Sequence, residues 1–396
     1  MTSIHIKNIG PLKDTGIIPL TNIMLIIGEQ STGKSTFMKI LSFCRWIEKK
    51  VMLGKYEDIT AKGSFVQQLR EFHKLSDEYF KVGEPFVEYI GEVVHVIHKG
   101  VKTTTKVNII DQDKRHNSKI SYIPAERNLL SVIPNLDNKY KSSTYDSLFN
   151  CAMEFSEANS VFTKQYPLKL SFADGMDYFH EGYNDYVKLQ KSNTTLLLEH
   201  TSSGIQSTVP VSVIVHYLCY ITGKPATRTP QMVKDNNGQD FSEENTSNRL
   251  NYYNYPQLYI EEPEQHLYPT SQAKLLRDII TQFSKAKDKT GSPGHVVMTS
   301  HSPYILTQLN VLLKARKAFV KDKEKTLRHI PMECISPMKY YSTYFVTQDG
   351  RMENMIDRET GLIKGEFLDA VSETTENELN QLNDIRRCSP TWRHIR

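Results

Sequence analysis

The chain has 396 residues, of which 39% are hydrophobic and 24% are charged. This composition is typical of an ordinary folded protein and excludes collagen-like, mucin-like and low-complexity chains. Lysine and arginine total 49, and aspartate and glutamate total 45, so the formal net charge is +4. Such a small excess neither predicts nor excludes a nucleic-acid partner. The length predicts either one large core with inserted lobes or two domains.

No stretch approaches about 18 consecutive apolar residues, and the chain start lacks the charged and then apolar pattern of a secretory signal. We therefore expect a cytoplasmic protein with no membrane partner. The five cysteines are widely separated, and none forms a Cys-x-x-Cys pair. This scatter predicts reduced, structural thiols rather than a disulfide framework or a zinc site.

The first half of the chain opens on a predicted strand, loop and helix. Alternating and helical spacings predict, in chain order, strands at 4–6 and 22–27, helices at 35–49 and 56–79, a hairpin at 86–110 that turns at Gly100, a strand at 120–123, and helical segments over 128–164 that are broken near Pro134.

The second half alternates strands and helices around one polar stretch. The predicted elements are a hairpin at 185–198, a helix at 204–219, a strand at 257–260, a helix at 270–285, a strand at 296–300 and a helix at 303–315. Residues 223–251 are rich in polar and turn-forming residues and poor in residues that could be buried. We expect a mobile loop there.

Residues 28–35, GEQSTGKS, fit the pattern G-x-x-x-x-G-K-[ST] in full and lie between a predicted strand and a predicted helix. Glycines let successive backbone N–H groups point at phosphate oxygens, and the helix adds its positive dipole end. Lys34 is expected to bridge the β- and γ-phosphates, and Ser35 to bind Mg²⁺. A glycine turn with an exposed lysine is the alternative. The predicted nucleotide-binding residues of this segment are Gly28, Ser31, Thr32, Gly33, Lys34, Ser35 and Thr36.

Two consecutive acids follow the buried strand predicted at 257–260. Glu261 is placed to reach a metal ion through its water, and Glu262 to orient and deprotonate an attacking water. Acids after a strand often mark only a solvated turn. The phosphate loop upstream favours the catalytic interpretation.

Three weaker signals accompany these motifs. Ser202-Ser203-Gly204 begins a predicted helix with groups that can bind an anion, and His301 follows a predicted buried strand. Arg127, in the segment Pro124-Ala125-Glu126-Arg127, could belong to the site or could form a surface salt bridge.

The order of the motifs along the chain resembles that of the ABC-type ATPases of the SMC and RecF group. The motifs are the phosphate loop, SSGIQ at 202–206, IEEPEQHLYP at 260–269 and TSHSPYIL at 299–306. They resemble in particular the bacterial AAA-family ATPases that include the ATPase part of OLD-family proteins and the ATPases of Septu, retron and PARIS anti-phage systems. The resemblance implies an α/β fold, a P-loop NTPase with an ABC-type head that has a mixed central sheet, antiparallel β-hairpins and a helical lobe.

The resemblance also implies roles for individual residues. Ser202 and Gly204 match the signature motif that contacts the γ-phosphate of ATP held by the opposite subunit. His301 matches the switch histidine and Glu262 the catalytic glutamate. ATP and Mg²⁺ are therefore the expected cofactors, and a homodimer or higher homo-oligomer is the expected assembly. Glu261 stands where aspartate is commoner in this group, which suggests slow turnover.

The predicted domain organisation is a discontinuous ATPase core of 1–55 and 256–396, an inserted lobe of 56–222 and a mobile polar loop of 223–255.

The leading hypothesis for function is an ATP-hydrolysing switch that controls a separately encoded nuclease or toxin in anti-phage defence. The alternatives are a scaffold that binds ATP and rarely cleaves it, and a RecF-like DNA repair ATPase. No nuclease motif is seen. The basic stretch 314–328 makes nucleic acid a possible partner, although a solvated charged surface is the favoured explanation, because the stretch lacks the interleaved aromatic residues of a single-strand-binding surface.

Overall fold

The computed structural model describes residues 2–111, 113–133, 146–226, 250–357 and 359–364. Most of the loop predicted at 223–255 and the break predicted near Pro134 lie outside these residues, so both stay predictions. The two chain segments that flank the loop pair with each other, since the Gly223 N–H donates to the Tyr253 carbonyl at 2.8 Å.

Runs of strands and runs of helices follow one another through the described residues. The strands are β1 (Ser3–Ile9), β2 (Leu12–Asp14), β3 (Ile18–Pro19), β4 (Ile23–Gly28), β5 (Phe86–Ile90), β6 (Val94–Lys99), β7 (Lys106–Ile109), β8 (Ser118–Ile123), β9 (Leu168–Lys169), β10 (Met176–Glu181), β11 (Asn184–Leu189), β12 (Thr194–Leu197), β13 (Tyr255–Glu261), β14 (His295–Ser300), β15 (Tyr341–Val346) and β16 (Met352–Asn354). The α-helices are α1 (Lys34–Met52), α2 (Glu57–Thr60), α3 (Ser64–His73), α4 (Leu129–Val132), α5 (Ser147–Asn159), α6 (Ser203–Ile221), α7 (Pro269–Thr290), α8 (Pro303–Lys321) and α9 (Lys323–Leu327).

A six-stranded mixed sheet forms the centre, in the order β16-β15-β4-β14-β13-β8. Five neighbouring strands run parallel, and β16 pairs antiparallel with β15. The sheet is buried on both faces: on β4, Leu25 belongs to the core that contains α6, α7 and α8, whereas Met24 and Ile26 pack with α1. Helices on both faces are expected for a parallel sheet, because the crossover connections lie there.

Two smaller antiparallel sheets flank the centre. One has the order β2-β1-β5-β6-β7, with β3 also paired to β1, and the other has the order β12-β11-β10-β9. Together with the helices, these sheets confirm the predicted α/β class with a mixed central sheet and antiparallel hairpins. The predicted division into core and inserted lobe stays a prediction. Strand β8, from within the predicted lobe, lies in the central sheet beside β13.

Some predicted elements differ in detail. The helix predicted at 56–79 is three short segments, because Gly63 (φ 77°) and Lys74 (φ 52°) adopt left-handed backbone that an α-helix cannot continue through. The hairpin predicted at 86–110 is three strands, since the chain also turns between β5 and β6. Strands β10 and β15 were not predicted.

Helix α6 is the most apolar helix of the site region. It is long and apolar enough to span a membrane, and no other helix in the described ranges is, but 72% of that window is buried inside the protein. This burial is expected of a core helix. Pro210 lies inside α6 and has no N–H to donate to the Gln206 carbonyl. The Ser131 hydroxyl donates to that carbonyl at 2.6 Å instead, so the helix continues through the proline.

Candidate nucleotide-binding site

The carboxyl ends of three neighbouring parallel strands form the candidate site. Strand β14 lies between β4 and β13, with Ser300 opposite Ile27 and Thr299 opposite Glu261. The residues that follow these strands therefore emerge at the same sheet edge, where ligands of α/β proteins bind. The structure in this way brings the phosphate loop together with two motifs that lie more than two hundred residues later in the sequence.

The phosphate loop is built from local contacts. Gly33 is the N-cap of α1 and has a φ of 110°, a left-handed conformation that favours glycine. The Thr32 hydroxyl and the Lys34 ammonium both donate to the Glu29 carbonyl, at 3.0 and 2.5 Å. These contacts close the loop across its own backbone.

The remaining predicted loop residues lie around this turn. Gly28 ends β4, and Ser31 is exposed with a φ of 62°. Ser35 lies in the first turn of α1 and is partly exposed, whereas Thr36 is buried. The sequence thus predicted a loop and helix start that the structure contains.

Lys34 is a buried cation at the base of the loop, with 5% of its surface exposed. Burial lowers its pKa to about 8, against the opposing effects of Glu262, Glu264 and Glu29. An ammonium that is poorly solvated gains more from a phosphate oxygen than an exposed one does. Lys34 therefore suits the predicted phosphate contact.

Ser35 and Glu261 form the candidate metal pair. The Ser35 hydroxyl donates to Glu261 Oε2 at 3.1 Å, and Lys39 Nζ lies 3.8 Å from Glu261 Oε1. A hydroxyl and a buried carboxylate are oxygen donors of the kind that Mg²⁺ prefers. The two residues therefore fit the ion that the resemblance implies.

Tyr122 also contacts Glu261, and sequence reasoning missed it. Its hydroxyl donates to Glu261 Oε1 from β8, the strand beside β13. Burial, and then the Glu261 carboxylate, raises the pKa of Tyr122 well above its usual value, so the phenol stays a donor. A tyrosine inside a predicted strand carries no local signal of such a role.

Glu262 has an unusual backbone and a polar environment. Its φ of 44° is left-handed, which is uncommon for any residue except glycine. Its N–H donates to the Thr299 carbonyl at 3.0 Å, which turns the chain away from the strand. The side chain is 34% exposed, so its carboxylate can reach water beside the site.

His301 lies against that carboxylate, with Nε2 3.3 Å from Glu262 Oε1. Burial and then the nearby Lys34 charge lower the pKa of His301, and the Glu262 carboxylate opposes them. The imidazole is therefore neutral at pH 7 and can donate one hydrogen bond to Glu262.

Glu264 is a second residue that the sequence analysis did not single out. Its Oε1 accepts hydrogen bonds from the Ser300 hydroxyl at 2.6 Å and from the His301 N–H at 3.0 Å. Burial raises its pKa. Glu264 therefore fixes the backbone from which His301 projects, and the only sequence signal for it is a third acid after Glu261 and Glu262.

The start of α6 presents two exposed serines. Ser202 is the N-cap and Ser203 the first helical residue, while Gly204 is buried. A Cβ built on Gly204 would lie 2.7 Å from the His266 carbonyl oxygen, so glycine permits the close approach. Ser203 was not among the predicted site residues, although it shares the exposed helix start with Ser202.

Arg127 is fully buried, so its interpretation as a surface salt bridge is wrong. Its guanidinium donates to backbone carbonyls, including those of Glu261 and Glu262.

The chain is structurally similar to the SMC head domain from Thermotoga maritima, at 11% identity with a TM-score of 0.39, covering 89% of this chain and 97% of that one. It is similar to an SMC head bound to the C-winged helix domain of ScpA, at 12% identity with a TM-score of 0.41, covering 89% and 95%. It is also similar to the recombination mediator RecF of the RecFOR pathway, at 10% identity with a TM-score of 0.36, covering 90% and 98%.

No curated protein matches the chain significantly. Residues 96–306, more than half of the chain, match the family described as AAA ATPase domain. The matched range contains the start of α6, Glu261, Glu262 and His301, and it begins after the phosphate loop. The protein therefore belongs to the AAA ATPase domain family.

Proposed function

We propose that the protein hydrolyses ATP as a switch whose two heads join around bound nucleotide. The observation that carries the ATPase part is the meeting of Lys34, Ser35, Glu261, Glu262 and His301 at one sheet edge. In this proposal Lys34 binds the β- and γ-phosphates. Glu262 takes a proton from the attacking water, and His301 orients its carboxylate. Ser35 and Glu261 would hold Mg²⁺, which neutralises phosphate charge when it is bound.

The rest of the loop is proposed to bind phosphate through backbone N–H groups and hydroxyls. These residues are Gly28, Ser31, Thr32, Gly33 and Thr36.

Dimerisation follows from the proposed role of Ser202 and Gly204, which would complete the nucleotide site of a second copy. Two observations support it: Ser202 is exposed, and it begins a helix of 19 residues whose N-terminus attracts anions. The γ-phosphate would then join the heads, and its hydrolysis would release them.

The proposal has three further parts: control of a separately encoded nuclease or toxin, a cytoplasmic location and a role in anti-phage defence. They rest on the resemblance of the motifs.

The exposed basic residues of α8 and α9, among them Lys314, Lys317 and Lys325, are a candidate contact for nucleic acid. A RecF-like repair ATPase predicts turnover that DNA stimulates and that salt suppresses. A scaffold predicts ATP-bound dimers with negligible turnover.

The test is ATP turnover by the purified protein and by Glu262→Gln. We expect kcat to fall by about 100-fold or more, because the general base is lost while the carboxamide keeps the shape. Glu57→Gln, at an exposed glutamate in α2, is the matched control and should turn over ATP like the wild type. Light scattering should show that Glu262→Gln stays dimeric with ATP. Equal rates in wild type and Glu262→Gln would contradict the role of Glu262.

A further inference from the structure

We infer that Arg127 is a positioning residue that ties helix α6 to Glu262 of the same subunit, so that the placement of α6 against a second copy sets the geometry of Glu262. The inference rests on the proposed function. It goes beyond that proposal by naming the connection through which one nucleotide site senses the other.

Arg127 joins two parts of the site through one guanidinium. Its Nη1 donates to the Glu261 carbonyl at 2.5 Å and its Nη2 to the Glu262 carbonyl at 2.6 Å. Its Nε donates to the Ser207 carbonyl in α6 at 2.9 Å. A planar fork with fixed donor directions transmits a displacement of α6 to the end of β13.

The contact on α6 lies one residue after the carbonyl that Pro210 leaves without a donor from its own helix. Pro210 cannot donate to the Gln206 carbonyl, and that carbonyl and the next one, of Ser207, both accept hydrogen bonds from outside the helix. Ser131 donates to the Gln206 carbonyl, and Arg127 to that of Ser207. The first turns of α6 are thus attached to the segment that carries Arg127.

The contact on β13 lies where the backbone needs support. Left-handed backbone at a residue other than glycine is strained and persists only when its surroundings enforce it. Glu262 has this conformation, and its two peptide groups are both bonded: its N–H to Thr299 and its carbonyl to Arg127. A shift of Arg127 would therefore rotate the peptide that aims the Glu262 side chain.

A second connection runs parallel to the first. The Ser207 hydroxyl donates to Gln265 Oε1 at 3.3 Å, and Gln265 Nε2 donates to Glu262 Oε2 at 3.4 Å. Residue 207 of α6 therefore reaches Glu262 through both its backbone and its side chain. Two routes between the same two residues indicate a built linkage rather than a chance contact.

The charge of Arg127 suits this role. Desolvation lowers its pKa to about 10, which leaves the guanidinium charged at neutral pH, and Glu264, Glu262 and Glu261 favour the charged form. Lysine would keep the charge, but its three N–H groups all diverge from one nitrogen and do not reproduce the planar fork that reaches α6 and the end of β13 together.

The test compares Arg127→Lys with Arg45→Lys. Arg45 is the matched control because it is also buried, pairs with Glu48 at 3.3 Å and lies in α1. We expect Arg127→Lys to lower kcat by about tenfold or more while KM for ATP changes less than about twofold, since the phosphate loop is untouched. Arg45→Lys should lower thermal stability and leave kcat per folded molecule unchanged.

A purely structural Arg127 would behave like Arg45, so equal kcat values in the two variants would overturn the inference. If Arg127→Lys does not fold, Ser207→Ala cuts the side-chain route alone. It should lower kcat severalfold without changing KM, because the inferred linkage between Ser207 and Glu262 includes both routes, and wild-type kcat in that variant would overturn that linkage. The proposed function fails separately, through equal turnover by wild type and Glu262→Gln.

Discussion

The phosphate loop of one subunit and the start of helix α6 of the other are proposed to touch the same phosphate, yet the two segments are held in different ways. The loop is closed by its own residues, since Lys34 and Thr32 both donate to the Glu29 carbonyl. The start of α6 depends on distant segments: Ser131 and Arg127 support its carbonyls. A self-contained loop can bind nucleotide in a single subunit, whereas the position of the start of α6 depends on the segment that carries Arg127 and Ser131.

Because of this difference, we expect the loop to set the affinity for ATP and the α6 side to set the rate of ATP turnover. Substitutions in the loop should weaken ATP binding directly. Substitutions at α6 and its supports should leave the binding of ATP to one subunit intact and change dimerisation and kcat.

Lys34→Met should have the largest effect. It removes the buried cation that is proposed to contact the phosphates, so we expect the Kd for ATP to rise by about 100-fold. Calorimetric titration with a non-hydrolysable ATP analogue measures it. Lys50→Met, at the far end of the same helix, is the control and should bind normally. Binding by Lys34→Met within threefold of wild type would contradict the role of Lys34.

The pH dependence of wild-type binding tests the same side chain. Because the pKa of Lys34 is about 8, its charge is present below that pH and is lost as the pH rises through it. The affinity for the analogue should therefore fall above pH 8, by up to about tenfold per pH unit if only the charged form binds. The residual binding of Lys34→Met should lack this fall.

Gly204→Ala should act on the other side of the division. The new methyl would lie 2.7 Å from the His266 carbonyl oxygen, which is too close unless α6 shifts. We expect the ATP-dependent dimer to weaken and kcat to fall by about tenfold, with the analogue affinity of the single subunit unchanged. Light scattering and titration measure the two quantities. A thermal unfolding curve close to that of the wild type shows that the fold persists, and an intact dimer with full kcat would contradict the prediction.

The same division explains how much the sequence could predict. The loop motif, its strand and its helix follow from local order along the chain, and β4 and α1 lie where the pattern placed them. The acids at the end of β13 were also recognisable, because a buried strand followed by a charge is a local pattern. The placement of Glu261 beside Ser35 needed only the rule that parallel strands end at one sheet edge.

The supports of the site could not be predicted in this way. Arg127, Tyr122 and Gln265 act through contacts across the fold, and each sits in a sequence context that also fits a surface or a core residue. Arg127 was left open between the site and a salt bridge, since burial depends on the packing of α6 over it. Strand β15 was missed because its polar and aromatic residues do not alternate clearly, although it pairs with β4 along its whole length.

Tyr122→Phe should have the smallest effect and tests whether the supports of Glu261 matter. The variant removes the hydroxyl that donates to Glu261 Oε1 and leaves Lys39 Nζ at 3.8 Å from that oxygen. One lost hydrogen bond to a charged group is worth about 1.5 kcal/mol, so we expect kcat to fall by up to about tenfold and the half-saturating Mg²⁺ concentration to rise. Tyr344→Phe is the matched control, because Tyr344 is also a buried tyrosine of the central sheet, on β15. If both variants need the same Mg²⁺ concentration, the Tyr122 hydroxyl only fills space, and Glu261 is held by Ser35 and Lys39.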